Sequence, residues 1–283
     1  MNKRNGVLCM KCFALLLSMV IFFGCASRGK KAVFRNWDTY GIRAYRYFLE
    51  GDFVKSIQLY KRGYVHARRA DDVSKAAQYL FNTGRVFYEM GFIDSAEVYL
   101  SRSYEDMLYY RDSVPASRAA ALLSVCEAGR GDKEKSSGWF EKTRVLRGED
   151  CPHFYSCVKT KCSFLLSGRI ENPETLESAL NYYRKEKNHA SLSQIYLIQA
   201  RQAQRKGDCL SSRELLEKAL GALDKSPERF RRHEVLVSLS SVLFCSGEDE
   251  AGRRFYGRAV DCAPLGVEIP SLEQISTCQH SCR

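Results

Sequence analysis

A recurring glycine is the feature of this 283-residue chain that most narrows its fold. Five short segments share it, at Gly51, Gly91, Gly131, Gly207 and Gly247. The spacings are 40, 40, 76 and 40 residues, and the wide gap, which contains Gly168, is close to two periods. Periods of about 20 to 50 residues are typical of stacked supersecondary units. The spacing therefore predicts six units, the fourth of them irregular.

The residues around each glycine repeat as well. The positions seven before, five after and twelve after it hold only Gly, Ala, Ser or Thr, whereas the position nine after it is large: Tyr60, Leu100, Phe140, Leu216 and Tyr256. Offsets of +5, +9 and +12 share one helix face. Small residues let two helix backbones approach, and the large residue fills the space beside them. Each unit is therefore expected to be two antiparallel helices, with the glycine in the turn between them.

This spacing resembles the tetratricopeptide repeat (TPR), which has three small positions and a glycine turn. The resemblance implies an all-α fold, a right-handed α-solenoid of about six TPR-like helical hairpins with a period of about 40 residues. The solenoid is expected over residues 37–266 and a C-terminal tail over 267–283. Its units are expected at residues 37–76, 77–116, 117–152, 153–192, 193–232 and 233–266. Because the family repeat has about 34 residues, longer helices or links are expected here.

The N-terminus has the pattern of an export signal. Three basic residues precede the uncharged apolar run Phe13–Phe23, which is short for a bilayer span but has the length of a signal sequence. Small residues and Cys25 follow it. This resembles a bacterial lipoprotein signal, which implies a signal peptide at residues 1–24, acylation of Cys25 and a tether at residues 25–36. The alternatives are an ordinary signal peptide and an uncleaved anchor.

The charge of the chain becomes informative once export is considered. The 44 Lys and Arg residues exceed the 33 Asp and Glu residues by 11, and removal of the three basic residues of the signal leaves 11 − 3 = +8. Such a surface suits anionic lipid, nucleic acid or an acidic protein. Export makes nucleic acid a poor partner. Arg28, Lys30 and Lys31 would either hold the tether on an anionic membrane or form a solvated spacer.

No motif for catalysis or cofactor binding occurs in the sequence. It lacks HExxH, a pair of CxxC motifs, GxSxG, a Walker loop and GxGxxG, so no enzyme activity and no cofactor are expected. One cluster resembles a metal site, Cys151, His153, Cys157 and Cys162, but its spacing is looser than that of a zinc finger, and no metal is expected. The nine cysteines after Cys25 are either partly paired in disulfides or buried as small hydrophobes.

The TPR resemblance also implies a binding surface. In TPR arrays the first helix of each unit lines a concave groove. Carried over to this chain, the lining positions give a partner-binding groove that includes Tyr45, Phe48, Gln78, Phe81, Arg85, Tyr88, Arg118 and Arg201. Aromatic residues and Arg are the types that anchor interfaces. The alternative is that the aromatic residues pack against an N-terminal extension or the next repeat.

These patterns favour a non-catalytic, membrane-tethered scaffold for protein–protein interaction in the bacterial cell envelope. It would be lipid-anchored in the cell membrane or the outer membrane, facing the periplasm. Its partners would be other envelope proteins, bound as peptide segments or helices. The alternative is a small-ligand-binding or solute-uptake accessory lipoprotein with a cavity inside the solenoid, which an aromatic cavity without a polar floor would favour. An enzyme is the weakest reading, because no nucleophile–base pair is visible.

Overall fold

Helices form every regular element of the computed structural model, which describes residues 39–148, 152–170 and 173–276; no strand occurs in these ranges. Helix α1 covers residues 39–50. The others are α2 (Phe53–Arg69), α3 (Val73–Glu89), α4 (Ile93–Tyr109), α5 (Ser113–Arg130), α6 (Lys133–Arg147), α7 (Pro152–Ser167), α8 (Pro173–Lys185), α9 (His189–Arg205), α10 (Cys209–Asp224), α11 (Arg232–Cys245), α12 (Asp249–Cys262) and α13 (Leu272–Ser276). None of these helices is long and apolar enough to cross a membrane.

Twelve of the described helices form six successive hairpins, from α1–α2 to α11–α12. The first helices of neighbouring hairpins contact one another, as α3 does α5, α5 does α7 and α7 does α9, so the hairpins stack side by side. The expected all-α solenoid of about six helical hairpins is therefore confirmed. The predicted signal peptide, Cys25 and the tether lie outside the described residues.

The turn inside most hairpins combines a glycine with a helix cap. The five repeat glycines have φ between 78° and 82°, the left-handed region that glycine enters at little cost. Three of them are followed by Asp52, Asp132 and Asp208, and each aspartate accepts a hydrogen bond from the backbone N–H three residues later. A side-chain acceptor at this position satisfies a helix N-terminal donor that would otherwise lack a partner. The Gly-Asp pair thus ends one helix and begins the next.

The small repeat residues mark where the two helices of a hairpin touch. In four hairpins a serine hydroxyl on one helix donates to a backbone carbonyl twelve residues away on the other at 2.8–2.9 Å: Ser56 to Ala44, Ser124 to Ser136, Ser212 to Ala200 and Ser240 to Gly252. In the second hairpin the same two positions are Gly84 and Ala96. A Cβ atom on Gly84 would lie 2.7 Å from Leu100 Cγ and 3.1 Å from the Ala96 carbonyl oxygen. The helix separation therefore depends on the small side chains.

We expect Gly84→Ala to lower the free energy of unfolding by about 1–3 kcal/mol, because the new methyl group overlaps Leu100 in a packed contact. Gly138→Ala is the matched control, since Gly138 is exposed inside α6 and no atom lies within 4 Å of its added Cβ. That control should gain about 0.5–1 kcal/mol from helix propensity. Urea denaturation measures both. Two variants of equal stability would contradict the close contact described for the second hairpin.

The chain beyond α12 folds back onto the solenoid. Val267 packs against the core cluster of the first hairpins, and α13 contacts α11. Ile275 in α13 is buried, and the Tyr256 hydroxyl donates to the Pro270 carbonyl oxygen at 3.1 Å. The described part of the predicted tail is therefore packed on the body of the protein.

The solenoid closes into a ring. Between α10 and α11, a short 3-10 helix (Arg229–Arg231) carries Phe230, whose ring centroid lies 5.0 Å from that of Phe48 and 5.2 Å from that of Phe53 in the first hairpin. All three rings are buried. A Cβ atom on Gly51 would lie 3.3 Å from Phe230 Cβ. We name the packing of Phe48, Phe53 and Phe230 the closing contact.

The closing contact corrects one prediction. Phe48 was expected to line the partner-binding groove, but it is only 2% exposed. Its position on the first helix is the expected one; the segment between the fifth and sixth hairpins covers that face. The alternative that some groove aromatics pack internally therefore holds for Phe48, although the residue it packs against is far away in the sequence.

Candidate binding cavity

The first helices surround a cavity of about 630 Å³, which we call the central cavity. Helices α3, α5, α7 and α9 supply most of its wall because the first helix of each hairpin faces the inside of the ring. Glu228 and Arg231, on either side of Phe230, complete the wall. The segment that makes the closing contact therefore also forms one side of the cavity, so the fold itself positions the candidate site.

Two arginines and two glutamates form an ion network where the ring closes. Arg85 Nη2 lies 2.6 Å from Glu228 Oε1, Arg231 Nε lies 3.0 Å from Glu228 Oε2, and Arg231 also pairs with Glu89. Burial opposes the charge on Glu228, but Arg231 and Arg85 outweigh it and lower the pKa of this carboxyl. Burial likewise opposes the charge on Arg231, and Glu89 and Glu228 raise its pKa. Glu228 and Arg231 therefore stay ionised at neutral pH.

Three further cations line the cavity without a carboxylate partner among the described residues: Arg118, Arg147 and Lys161. Lys161 Nζ lies 5.0 Å from the ring centroid of Tyr88, and Arg147 Cζ lies 4.5 Å from that of Phe154. Burial opposes the charge on Lys161, but the neighbouring Tyr88 raises its pKa, so the ammonium group persists. Because the network above satisfies both lining glutamates, the cavity carries an excess of positive charge.

Aromatic rings stand beside these cations. The lining aromatic residues are Phe81, Tyr88, Phe154, Tyr182 and Tyr183. The ring centroids of Tyr182 and Tyr183 lie 5.3 Å apart in an edge-to-face arrangement. Burial raises the pKa of Tyr183, so its hydroxyl stays neutral. Such walls suit a ligand that has both anionic groups and apolar or planar groups. Charged side chains form part of the lining, which argues against the purely apolar ligand expected for the small-ligand alternative.

The structure divides the eight predicted groove residues into several places. Those that line the central cavity are Phe81, Arg85, Tyr88 and Arg118. Tyr45 and Gln78 line a separate hollow of about 240 Å³ between the first two hairpins. Phe48 is in the core. Arg201 lines neither space; it lies near Glu234, where with Arg231 it lowers the pKa of that carboxyl against the effect of burial.

Sequence reasoning missed several residues of the cavity. Phe154 and Lys161 belong to the irregular fourth unit, and they hold the same repeat positions as Gln78 and Arg85 in the second unit. Extending the register through the fourth unit would have found both. Arg147, Tyr182 and Tyr183 lie on second helices or their ends, and Glu228 and Arg231 lie between units. No repeat position signals these five residues.

Two residues of the metal-like cluster, Cys157 and Cys162, pack in different parts of the core. Cys157 packs against the cluster that contains Leu192 and Ile195, whereas Cys162 packs with Val125 and Val158. Cys162 Sγ lies 3.3 Å from the Ser124 hydroxyl. These two thiols therefore pack as small core side chains; Cys151 lies outside the described residues.

Comparison with protein-family models and with curated proteins finds no match for this chain. Among solved structures, it is similar to the TPR2AB-domain:pHSP90-complex of yeast Sti1, with 15% sequence identity and a TM-score of 0.39. The match covers 88% of this chain and 98% of that one. At this TM-score the likeness carries no argument, and the TPR-like fold described above rests on the hairpins and repeat residues of this chain itself.

Proposed function

We propose that this protein is a non-catalytic scaffold of the bacterial cell envelope that binds an acidic segment of a partner protein in its central cavity. The observation that carries the proposal is the group of three cations, Arg118, Arg147 and Lys161, that face the cavity without carboxylate partners in the described chain. Burial makes the charge of Lys161 costly until a counter-charge joins it, whereas Arg118 is exposed. A ligand carboxylate would therefore gain charge-assisted hydrogen bonds at this wall.

The size and the lining of the cavity support a short segment as the ligand. Its volume of about 630 Å³ lies within the usual range for ligand sites, about 300–1,000 Å³. The rings of Phe81 and Phe154 offer apolar contact area beside the cations. A segment that alternates acidic and apolar side chains would use both features, so the preferred partner sequence is acidic and contains aromatic or aliphatic residues.

The direct test is peptide binding to a variant whose cavity charge is reversed. We expect Arg118→Glu with Lys161→Glu to weaken binding of a fluorescein-labelled Glu/Phe peptide by at least tenfold, because each charge-assisted bond contributes about 1.5–3 kcal/mol. Arg253→Glu with Arg254→Glu is the control, since both side chains are exposed on α12 outside the cavity. Fluorescence anisotropy at two salt concentrations measures the affinities. Equal affinity of the two double variants would exclude the cavity as the binding site.

A second candidate function is binding of a small anionic molecule. The observation that favours it is the closing contact, which walls off the cavity where a longer peptide would continue along an open groove. Native mass spectrometry of protein purified from envelopes distinguishes the two. A bound mass of a few hundred daltons that the Lys161→Glu variant lacks would favour the small ligand, whereas tight binding of the Glu/Phe peptide favours the scaffold.

The proposed location rests on the N-terminal sequence. The signal-like run and Cys25 support an acylated protein held in the cell membrane or the outer membrane and facing the periplasm. Metabolic labelling with a fatty acid tests it: label should enter the protein, and Cys25→Ala should abolish the labelling and release the chain from the membrane fraction. Labelling that persists in the Cys25→Ala protein would exclude acylation at this residue.

A further inference from the structure

One edge of the solenoid gathers the junctions that follow the first four hairpins, where a second helix ends and the next first helix begins. We call it the tether edge, because α1 also begins there. The junction before α11 is not part of it, because that segment packs against the first hairpin turn at Gly51. The Tyr40 ring near the start of α1 stacks on His66 near the end of α2, with centroids 5.1 Å apart. Met107 at the end of α4 and Ala116 at the start of α5 share a core cluster against which Leu146 at the end of α6 packs. These contacts bring the ends of α2, α4 and α6 to one side.

The tether edge exposes a group of tyrosine and aliphatic side chains. Tyr109 is 81% exposed and Tyr110 49%, and their rings lie 5.0 Å apart in an edge-to-face arrangement. Val114 and Val145, next to the cluster just described, are also exposed. Tyrosine has an apolar ring with a polar tip, and it is enriched where a protein meets the headgroup region of a membrane.

The exposed charge differs between the two edges. On the tether edge, seven exposed basic residues stand against three exposed acidic ones in the junctions at residues 65–71, 105–114, 144–148 and 184–188. On the opposite edge, seven exposed basic residues stand against eight acidic ones in the hairpin turns at residues 50–55, 90–95, 129–135, 167–174, 205–210 and 246–250, counting described residues only. The tether edge is therefore the more basic of the two.

The N-terminal part of the chain meets this same edge. Residue 39, where the described chain begins, starts a first helix and therefore lies at the tether edge. Cys25 is 14 residues earlier in the sequence, a distance that an extended chain spans in at most about 50 Å. A chain anchored through Cys25 is thus joined to the bilayer at the tether edge. This step rests on the acylation proposed above, whereas the exposed side chains and their charge do not.

We infer that the tether edge is a membrane-contact surface, with an anionic lipid bilayer as its partner. Tyr109 and Tyr110 enter the headgroup layer while Arg68, Arg69 and Arg111 face lipid phosphates. Each basic residue near an anionic surface raises the affinity about fivefold at moderate salt. The attraction weakens as salt shortens the screening length. The ring then lies on the membrane with its opposite, more acidic edge facing away.

A tryptophan placed on each edge tests this orientation. The two native tryptophans are first replaced by Trp37→Phe and Trp139→Phe. Tyr109→Trp then reports on the tether edge, and Leu210→Trp, at a residue that is 72% exposed in the first turn of α10, reports on the opposite edge. The acylated protein is reconstituted into phosphatidylcholine vesicles, with or without phosphatidylglycerol, that contain brominated lipid. Circular dichroism confirms that each variant is folded.

We expect brominated lipid to quench most of the tryptophan emission of the Tyr109→Trp variant in anionic vesicles, and less of it in neutral vesicles or at 1 M salt. The emission of the Leu210→Trp variant should not change. Equal quenching of the two variants, or none of Tyr109→Trp in protein that floats with the vesicles, overturns the membrane-contact surface. Protein that floats without quenching of Tyr109→Trp still has its lipid anchor, so this result leaves the proposed acylation intact. A mass spectrum without acyl groups overturns the acylation alone.

The unacylated protein then tests the membrane-contact surface by itself. Flotation with anionic but not with neutral vesicles supports the surface, and flotation with neither kind of vesicle overturns it.

Hydrogen exchange on the unsubstituted protein provides an independent measurement. Peptides that cover residues 105–114 should exchange more slowly on phosphatidylglycerol vesicles than on phosphatidylcholine vesicles, and peptides that cover residues 246–250 should not change. The reverse pattern, or no difference between the two segments, would contradict the orientation.

Discussion

Phe230→Ala is expected to lower the free energy of unfolding by about 3–5 kcal/mol, the usual cost of deleting a buried aromatic side chain. Phe230 is 5% exposed and packs edge-on against Phe48 and Phe53. Its removal leaves a gap between the first hairpin and the segment before α11, two parts of the chain that cannot easily collapse onto each other. The variant should therefore lose both core packing and closure of the ring.

Two measurements distinguish these effects. Leu265→Ala is the control for stability, because Leu265 is 75% exposed, and it should change the urea midpoint little. Small-angle X-ray scattering should show a larger radius of gyration for Phe230→Ala than for the parent protein, because the ring opens. A Phe48→Ala, Phe230→Ala double variant should cost less than the sum of the single variants, since they share one contact. Additive costs with an unchanged radius would contradict the closing contact.

Arg231→Met is also expected to lower the free energy of unfolding by about 3–5 kcal/mol, because it leaves buried carboxylates without their partner. The side chains of Arg231, Glu89 and Glu228 are only 9%, 5% and 11% exposed. Arg213→Met is the matched control: Arg213 pairs with Glu248, but those side chains are 43% and 46% exposed. An exposed pair of this kind contributes about 0–1 kcal/mol. Thermal unfolding of both variants provides the comparison.

The effect of Arg231→Met should depend on pH. Arg231 and Arg85 hold the pKa of Glu228 below its ordinary value despite burial, so in the parent protein this pairing stabilises the fold above about pH 4.3 and is lost as the pH falls through the lowered pKa. Without Arg231 the pKa of Glu228 rises, and ionised Glu228 stabilises the fold less at neutral pH. The stability difference between parent and variant should therefore be larger at pH 7 than at pH 4. A stability difference that grows on acidification would contradict this account. Glu228→Gln in the Arg231→Met background should recover part of the lost free energy of unfolding at pH 7.

The hairpins were predictable because each repeat residue has a structural role within its own hairpin. The glycines occupy left-handed turns, and the small residues stand where a serine hydroxyl reaches the backbone of the facing helix. The turn and the contact between the helices each involve residues no more than about twelve positions apart, so they produce a pattern with a fixed spacing in the sequence. The cavity was predictable to the extent that it uses the same register, as Arg85 and Arg118 do.

The ring was not predictable, because the residues that close it lie outside the repeat. Glu228 and Phe230 belong to the junction between the fifth and sixth units, and no other unit has counterparts to compare. Nothing local marks Phe230 as the partner of Phe48, since the two are brought together only by the summed rotation of the intervening hairpins. Phe48 was therefore placed on an open face, and the enclosure of the cavity was missed.

Closure of the ring also bears on the order in which the chain folds. Within an open solenoid all contacts are local, each hairpin forms early, and the terminal repeats fray. The bond between Arg85 and Glu228 instead joins residues 143 positions apart, so its loop-closure entropy can be offset only after the hairpins between them have formed. Closure is then a late step, and once it is made the first hairpin no longer behaves as an end. Amide protons in α1 and α2 should accordingly exchange as slowly as those in the middle of the chain, and no gradient of protection should run from the first hairpin inward.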